Sequence, residues 1–169
     1  MTRYQSKVNF PPIAGIEIEV SELGLRRLIL LPGEYFKKYK LSGSRTTLAD
    51  NWCDKLDLVL EVETQLLEYL EGRRRSFSIP LDLDIGTDFQ KRVWGILQEI
   101  PYGCYSTYKE IAKKAGKPHA ARAVGNACAA NPIPIIIPCH RVIRTDGRLG
   151  GYTSCVNAKK ALLMLEGAI

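Results

Sequence analysis

Apolar and acidic residues alternate over Ile16-Glu17-Ile18-Glu19-Val20, which predicts a half-buried strand. Leu25 to Leu31 reads as a second strand, with Ser21 to Gly24 as the turn between them and Pro32-Gly33 as the stop. Residues 1–14 show no clear period. Glu34 to Leu48 is polar and basic and is assigned to no element. From Asp50 to Leu70 the spacing becomes helical: Trp52, Leu56, Val59, Leu66 and Leu70 recur on one face, and Gly72 follows as a stop. Leu56 to Val62 also alternates, so a strand there stays open. Arg73-Arg74-Arg75 reads as a solvated helix exit, and Phe77 to Leu81 as a strand.

A second pattern begins at Gly86. Thr87 and Gln90 form a capping box, and Phe89, Val93, Trp94, Leu97 and Ile100 make one apolar helical face that Pro101-Tyr102-Gly103 ends. Thr107 and Glu110 form another box, opening a short helix to Ala115. Gly116-Lys117-Pro118 is a turn, and Ala120 to about Ala130 is the next helix. Two short helices about a glycine turn fit a helix-turn-helix. The second is a slim alanine-rich rod whose one charged side chain is Arg122, suited to close packing on another helix or to close approach to a DNA groove. Val142-Ile143 reads as a short strand, Arg144 to Gly147 as a turn, and Gly150 to Thr153 as a loop. Lys159 to Glu166 reads as a helix with Leu162, Leu163 and Leu165 inward, ended by Gly167.

These elements predict an α+β chain in two parts. Residues 1–81 form a small sheet-plus-helix domain with no constellation of reactive groups, and its role is read as structural. Residues 82–169 form a mostly helical domain. The net charge of +6 is uneven: residues 1–81 hold 12 Lys+Arg against 11 Asp+Glu, and residues 82–169 hold 12 against 7. The basic second half favours an acidic partner such as nucleic acid, although a basic surface alone is compatible with simple solubility. No apolar run reaches the length of a membrane span and no signal-peptide core opens the chain, so a cytoplasmic protein without a membrane partner is expected. Five cysteines without short paired spacings do not make a disulfide framework, and two histidines leave little for a metal site.

The most informative stretch is Asn131-Pro132 through Pro138-Cys139-His140-Arg141-Val142-Ile143. Prolines 132, 134 and 138 forbid a helix and predict an extended, stiff, buried approach to a thiol with an imidazole beside it. A cysteine ending an apolar run is by itself more often a core residue than a nucleophile. The whole motif, however, closely resembles the Pro-Cys-His-Arg-Val active-site signature of the O6-alkylguanine-DNA alkyltransferases, and the resemblance extends from Gly86 to Glu166.

That resemblance implies DNA repair by single-use alkyl transfer from O6-alkylguanine, and by extension O4-alkylthymine, in double-stranded DNA to the protein's own cysteine. It implies a monomer without cofactor or metal. It assigns Cys139 as nucleophile, His140 as general base acting through a water, and Glu166 as the acid that orients the histidine. Tyr108 is implied as the phenol that protonates or hydrogen-bonds the purine. Arg122 is implied as the finger that fills the hole left by the flipped nucleotide, with Ala121 and Tyr108 also at the DNA. Asn131 corresponds to a hinge asparagine between recognition helix and cysteine loop. Pro134, Val142, Tyr152 and Thr153 are implied to line or read the base pocket. Two departures stand out. Ser154-Cys155 replaces a pair of glycines in the closing loop, and the zinc-binding residues of some members are absent.

Two other readings are compatible with the sequence. A helix-turn-helix module could recognise DNA without chemistry, although damage-sensing relatives replace the nucleophile that is present here as Cys139. A Cys-His-Glu hydrolase would need free backbone amides as an oxyanion hole, which the proline-rich lead-in scarcely provides.

Overall fold

The computed structural model describes residues 2–33, 46–47, 55–152 and 156–169. The chain divides into two compact units, Met1–Asp82 and Leu83–Ile169.

In the first unit, strands β1 (Thr2–Phe10), β2 (Ile13–Val20), β3 (Leu25–Pro32) and β4 (Thr46–Thr47) form an antiparallel sheet in the order β3-β2-β1-β4. The hairpin of β2 and β3 matches the alternation. Strand β1 was not expected, and the reason lies at one position. Tyr4 and Val8 point into the core with Ser6 between them, so a polar residue interrupts the inward row. Ser6 Oγ donates to Glu63, which also accepts from Tyr4 Oη at 3.0 Å, and that buried carboxylate is what makes an inward serine tolerable.

Helix α1 (Leu56–Leu70) buries Val59, Val62, Leu66 and Tyr69 completely, which excludes a strand over 56–62. Trp52 and the expected beginning of this helix lie outside the described residues, as does most of Glu34 to Leu48. Phe77 to Leu81 is not a strand. Pro80 has no amide to give a ladder, and only its carbonyl, accepting from Leu25 N at 2.8 Å, and Asp82 N, donating to Leu25 O at 2.9 Å, tie it to β3. The Gln65 side-chain amide takes the place of a neighbouring strand, bonding Ser78 through both its oxygen and its nitrogen at 3.0 and 2.9 Å.

The second unit holds helices α2 (Asp88–Gln98), α3 (Tyr108–Lys114), α4 (Ala121–Ala129) and α5 (Val156–Leu165), a 3-10 turn (Cys139–Arg141) and the parallel pair β5 (Ser106–Thr107) and β6 (Val142–Ile143). Both capping boxes form, at Thr87 and at Thr107. Trp94, at the centre of the buried face of α2, donates its indole N–H to Ala127 O at 2.9 Å and pins α4. The turn between α3 and α4 closes with Gly116 N to Lys113 O at 3.0 Å and Lys117 N to Ala112 O at 2.9 Å. No helix among the described residues is long and apolar enough to cross a membrane.

Candidate active site

The lead-in to Cys139 is not extended. Ile137 N donates to Ile133 O at 2.9 Å, Pro134 bridges to Ile137, and Ile135 sits at φ +74°. The prolines withhold donors as expected, but they frame a tight turn rather than a straight approach. Positive φ at a β-branched residue is strained, and it persists because Ile133, Ile135 and Ile137 are all buried. The turn hands the chain to the 3-10 segment, where Cys139 N donates to Ile137 O at 2.8 Å and Arg141 N to Pro138 O at 3.0 Å. With about three residues per turn, the Cys139 and His140 side chains still leave the backbone in different directions.

Cys139 Sγ accepts from Asn131 Nδ2 at 3.1 Å. The same amide nitrogen reaches Ile137 O at 2.8 Å, and Asn131 Oδ1 accepts from Ile133 N at 3.0 Å, so one side chain ties the end of α4 to the turn and to the sulfur. Burial pushes the Cys139 thiol up, while the Asn131 amide and the Lys159 ammonium pull it back.

His140 is fully buried, and burial holds its pKa below the ordinary value against the opposing pull of Glu166. Its Nε2 lies 3.0 Å from Glu166 Oε1. A carboxylate accepts, so Nε2 carries the proton and Nδ1 is the basic atom of the ring. Glu166 follows the last turn of α5 rather than lying within it. Gly167, at φ +67°, closes that end with bonds from Gly167 N to Met164 O and from Ala168 N to Leu163 O. Arg141 forks onto Glu166, with Nε at 2.9 Å from Oε2 and Nη2 at 2.8 Å from Oε1, and its Nη1 donates to Ile100 O at 2.6 Å. Gly103 N adds a 3.3 Å bond to Oε2. The carboxylate thus joins the exit of α2, the cysteine turn and the exit of α5.

A cavity of about 910 Å³ opens over the sulfur. Of the residues implied to face substrate or DNA, Tyr108, Ala121, Arg122, Cys139 and Tyr152 line it. Asn131, Pro134 and Val142 do not: Pro134 is folded into the buried turn, Asn131 braces the sulfur from behind, and Val142 is buried in β6, its carbonyl taken by Lys159. Thr153, with Ser154 and Cys155, lies outside the described residues. The Tyr108 hydroxyl is pushed up to about 12 by burial, with the neighbouring charges of Cys128 and Cys139 adding to it, so the phenol keeps its proton at neutral pH.

Lys159 escaped sequence reasoning. It is buried, donates to Val142 O at 2.5 Å, and stands 3.5 Å from the Tyr108 oxygen. Burial lowers its pKa, while thiolates at Cys139 or Cys128 would raise it. The signal was present: Lys159, Leu162, Leu163 and Glu166 share one helical face, so a lysine on the inward side needed a polar partner. Arg141, the ion partner of Glu166, and Cys128, a second thiol on the cavity wall, were also unassigned. Among the described residues no cluster of His, Cys, Asp and Glu could hold a metal ion.

The profile of the 6-O-methylguanine DNA methyltransferase DNA-binding domain matches residues 88–168. The methylated-DNA–protein-cysteine methyltransferase of Methanosarcina barkeri is 46% identical over 155 residues, 92% of either chain. That of Mycobacterium tuberculosis is 55% identical over 102 residues, 60% of this chain and 61% of the relative. The crystal structure of Mycobacterium tuberculosis OGT in complex with DNA aligns with a TM-score of 0.76 at 40% identity, covering 97% of this chain and 92% of that one. The O6-methylguanine-DNA methyltransferase of Pyrococcus kodakaraensis aligns at 0.63 with 27% identity, covering 96% and 98%. With near-complete coverage at this identity, and with a buried cysteine followed in the chain by a buried histidine bonded to a glutamate, the chain belongs to the methylated-DNA–protein-cysteine methyltransferase family.

Proposed function

We propose that this chain repairs duplex DNA by moving the alkyl group of an extruded O6-alkylguanine onto Cys139, once per molecule. The observation that carries the proposal is the position of Cys139: its sulfur lies against the cavity, Asn131 donates to it, and the next residue is a buried histidine bonded to a carboxylate.

In this reading α4 lies in the groove, Arg122 fills the space left by the nucleotide, and Tyr108 meets the base in the cavity. His140 Nδ1 takes the thiol proton through a water, and Glu166 stabilises the charge that forms on the ring. The sulfur lone pair attacks the alkyl carbon in line, the C–O6 bond breaks, and its electrons go to the purine. The Tyr108 hydroxyl, protonated at neutral pH, supplies the proton that leaves neutral guanine, and it is restored from His140 through solvent. The net change is thiol plus alkylguanine to thioether plus guanine. A thioether has no adequate leaving group, so the protein is consumed.

A hydrolase is disfavoured by the backbone. Cys139 N is already bonded to Ile137 O, so the amide that could stabilise an oxyanion at the nucleophile is occupied. The test is peptide mass analysis after mixing the protein with duplex DNA carrying O6-methylguanine. One added methyl on the Cys139 peptide, with guanine restored, is expected. Unmodified protein that still binds the DNA would leave a damage-binding module instead.

A further inference from the structure

The cavity wall holds more positive charge than the transfer itself uses. Lys109, Arg122 and Arg144 all line it, and no Asp or Glu among the described residues does. Lys109 and Arg122 belong to α3 and α4, the two helices of the helix-turn-helix. Arg144 comes from a separate segment, the first residue after β6 and five residues beyond Cys139.

This arginine is held in place. The turn that carries it closes with Arg144 N to Arg148 O at 2.9 Å and Gly147 N to Arg144 O at 3.0 Å. Asp146 Oδ2 lies 3.3 Å from Arg144 Nε, and Asp146 Oδ1 accepts from Arg148 N at 3.1 Å. The aspartate engages the guanidinium near Nε, and the side chain is 56% exposed, so its outer edge faces the cavity and solvent. The charge reaches across the cavity as well, easing the Tyr108 hydroxyl downward against burial.

A nucleotide that leaves the stack carries its two flanking phosphodiesters with it. Extrusion turns the nucleotide about its backbone into the pocket, which brings those phosphates to the rim of the receiving cavity. A guanidinium suits such a phosphate because its planar fork can give two parallel N–H bonds to two oxygens. Phosphate contacts of this kind fix register and orientation without reading sequence.

We propose that Arg144 is a positioning residue that grips a phosphate flanking the extruded nucleotide and so holds the base over Cys139. The inference rests on duplex DNA being the substrate. Its chemistry is separate from that of the thiol, since no proton or bond of the transfer passes through Arg144.

The test uses the full chain and R144A and R144K variants with a duplex carrying one O6-methylguanine. R144A is expected to weaken binding and raise the half-saturating DNA concentration roughly tenfold, while the transfer rate at saturation stays within about twofold. The slope of log affinity against log salt should shrink by about 0.9, the share of one phosphate contact on duplex DNA. R144K keeps the charge and should retain the slope, losing only part of the affinity. A neutral methylphosphonate is then placed at each flanking phosphate in turn. At one of them it should weaken the wild type about as much as R144A does and add nothing further to R144A. A penalty that is unchanged on both neutral backbones, an unaltered salt slope, or no penalty at all would overturn the proposal. An R144A protein that did not fold would also overturn it, because it would make the residue structural. Wild-type protein that binds DNA without transferring the methyl group would defeat the alkyl-transfer reading alone, since the phosphate contact is read from binding.

Discussion

Substituting Glu166 by Gln keeps the shape of the side chain and removes its charge. Glu166 and Arg141 have side-chain exposures of 0% and 8%, so the guanidinium is left buried beside a neutral amide. Breaking a buried pair from one side costs about 3–5 kcal/mol. For a unit of 60–100 residues each kcal/mol moves the melting point by about 4–8 °C, so a fall of roughly 12–40 °C is expected. The amide can also turn its NH2 toward His140 Nε2, forcing the ring proton to Nδ1 and disabling the base. Thermal unfolding by circular dichroism measures the first effect. Quenched-flow methyl transfer, run where the variant is still folded, measures the second, with about a 10²–10⁴-fold loss expected from removing general-base catalysis. The double variant Arg141→Met, Glu166→Met separates the two. Filling the site with apolar side chains should recover part of the stability, because desolvation of the pair disappears with the pair, while the His140 N–H and the Ile100 carbonyl lose their partners. It should recover none of the rate, because His140 still lacks its acceptor. A Glu166→Gln protein melting within a few degrees of the wild type, or a double variant that regains transfer, would refute this account.

Three further outcomes are expected. Gly150 sits at φ +71°, and a Cβ there would lie 3.0 Å from the Tyr108 oxygen, so Gly150→Ala should displace the phenol and slow transfer more than it weakens DNA binding, read from single-turnover kinetics over a range of DNA concentrations. Burial pushes the Cys128 thiol up to about 12 from an ordinary 9.0. The folded state therefore keeps a proton that the unfolded chain gives up, and stability should fall above pH 9 by as much as about 1.4 kcal/mol per pH unit, a slope that Cys128→Ala reduces in urea titrations. Because burial lowers the His140 pKa, the folded ring stays neutral as pH drops through 6.5 while an unfolded histidine takes a proton. Stability should thus decline below that pH, with the transfer rate of the folded protein showing no step there. A rate that halves at pH 6.5 without unfolding would contradict the assignment.

Regular periodicity was legible wherever a single face meets the core. The hairpin of β2 and β3, the long helix α1 and both threonine caps need only neighbours in the chain. What escaped depends on partners far away in sequence. Ser6 faces inward because Glu63, in another element, accepts its hydrogen bond. Phe77 to Leu81 looks like a strand, but the Gln65 amide serves as its pairing edge. The three prolines told truly of a missing helix and wrongly of an extended path, since an asparagine side chain gathers the turn. Cys139, His140 and Glu166 were named through resemblance to a family motif, and the structure bonds His140 to Glu166 and Cys139 to Asn131. Lys159 carried only its place on an apolar helix face, and its partner is a backbone carbonyl that no residue type announces.

A protein that reacts once must above all not react early. Cys139 is 2% exposed, and burial holds its thiol above the ordinary range, so the resting molecule carries it protonated at neutral pH. Oxidants and stray electrophiles attack thiolates at exposed sites. The same burial that obliges His140 to assist the reaction gives the idle protein a long shelf life. Its potency is reckoned in intact copies waiting for a lesion, and each copy remains chemically silent until a base fills the space above the sulfur.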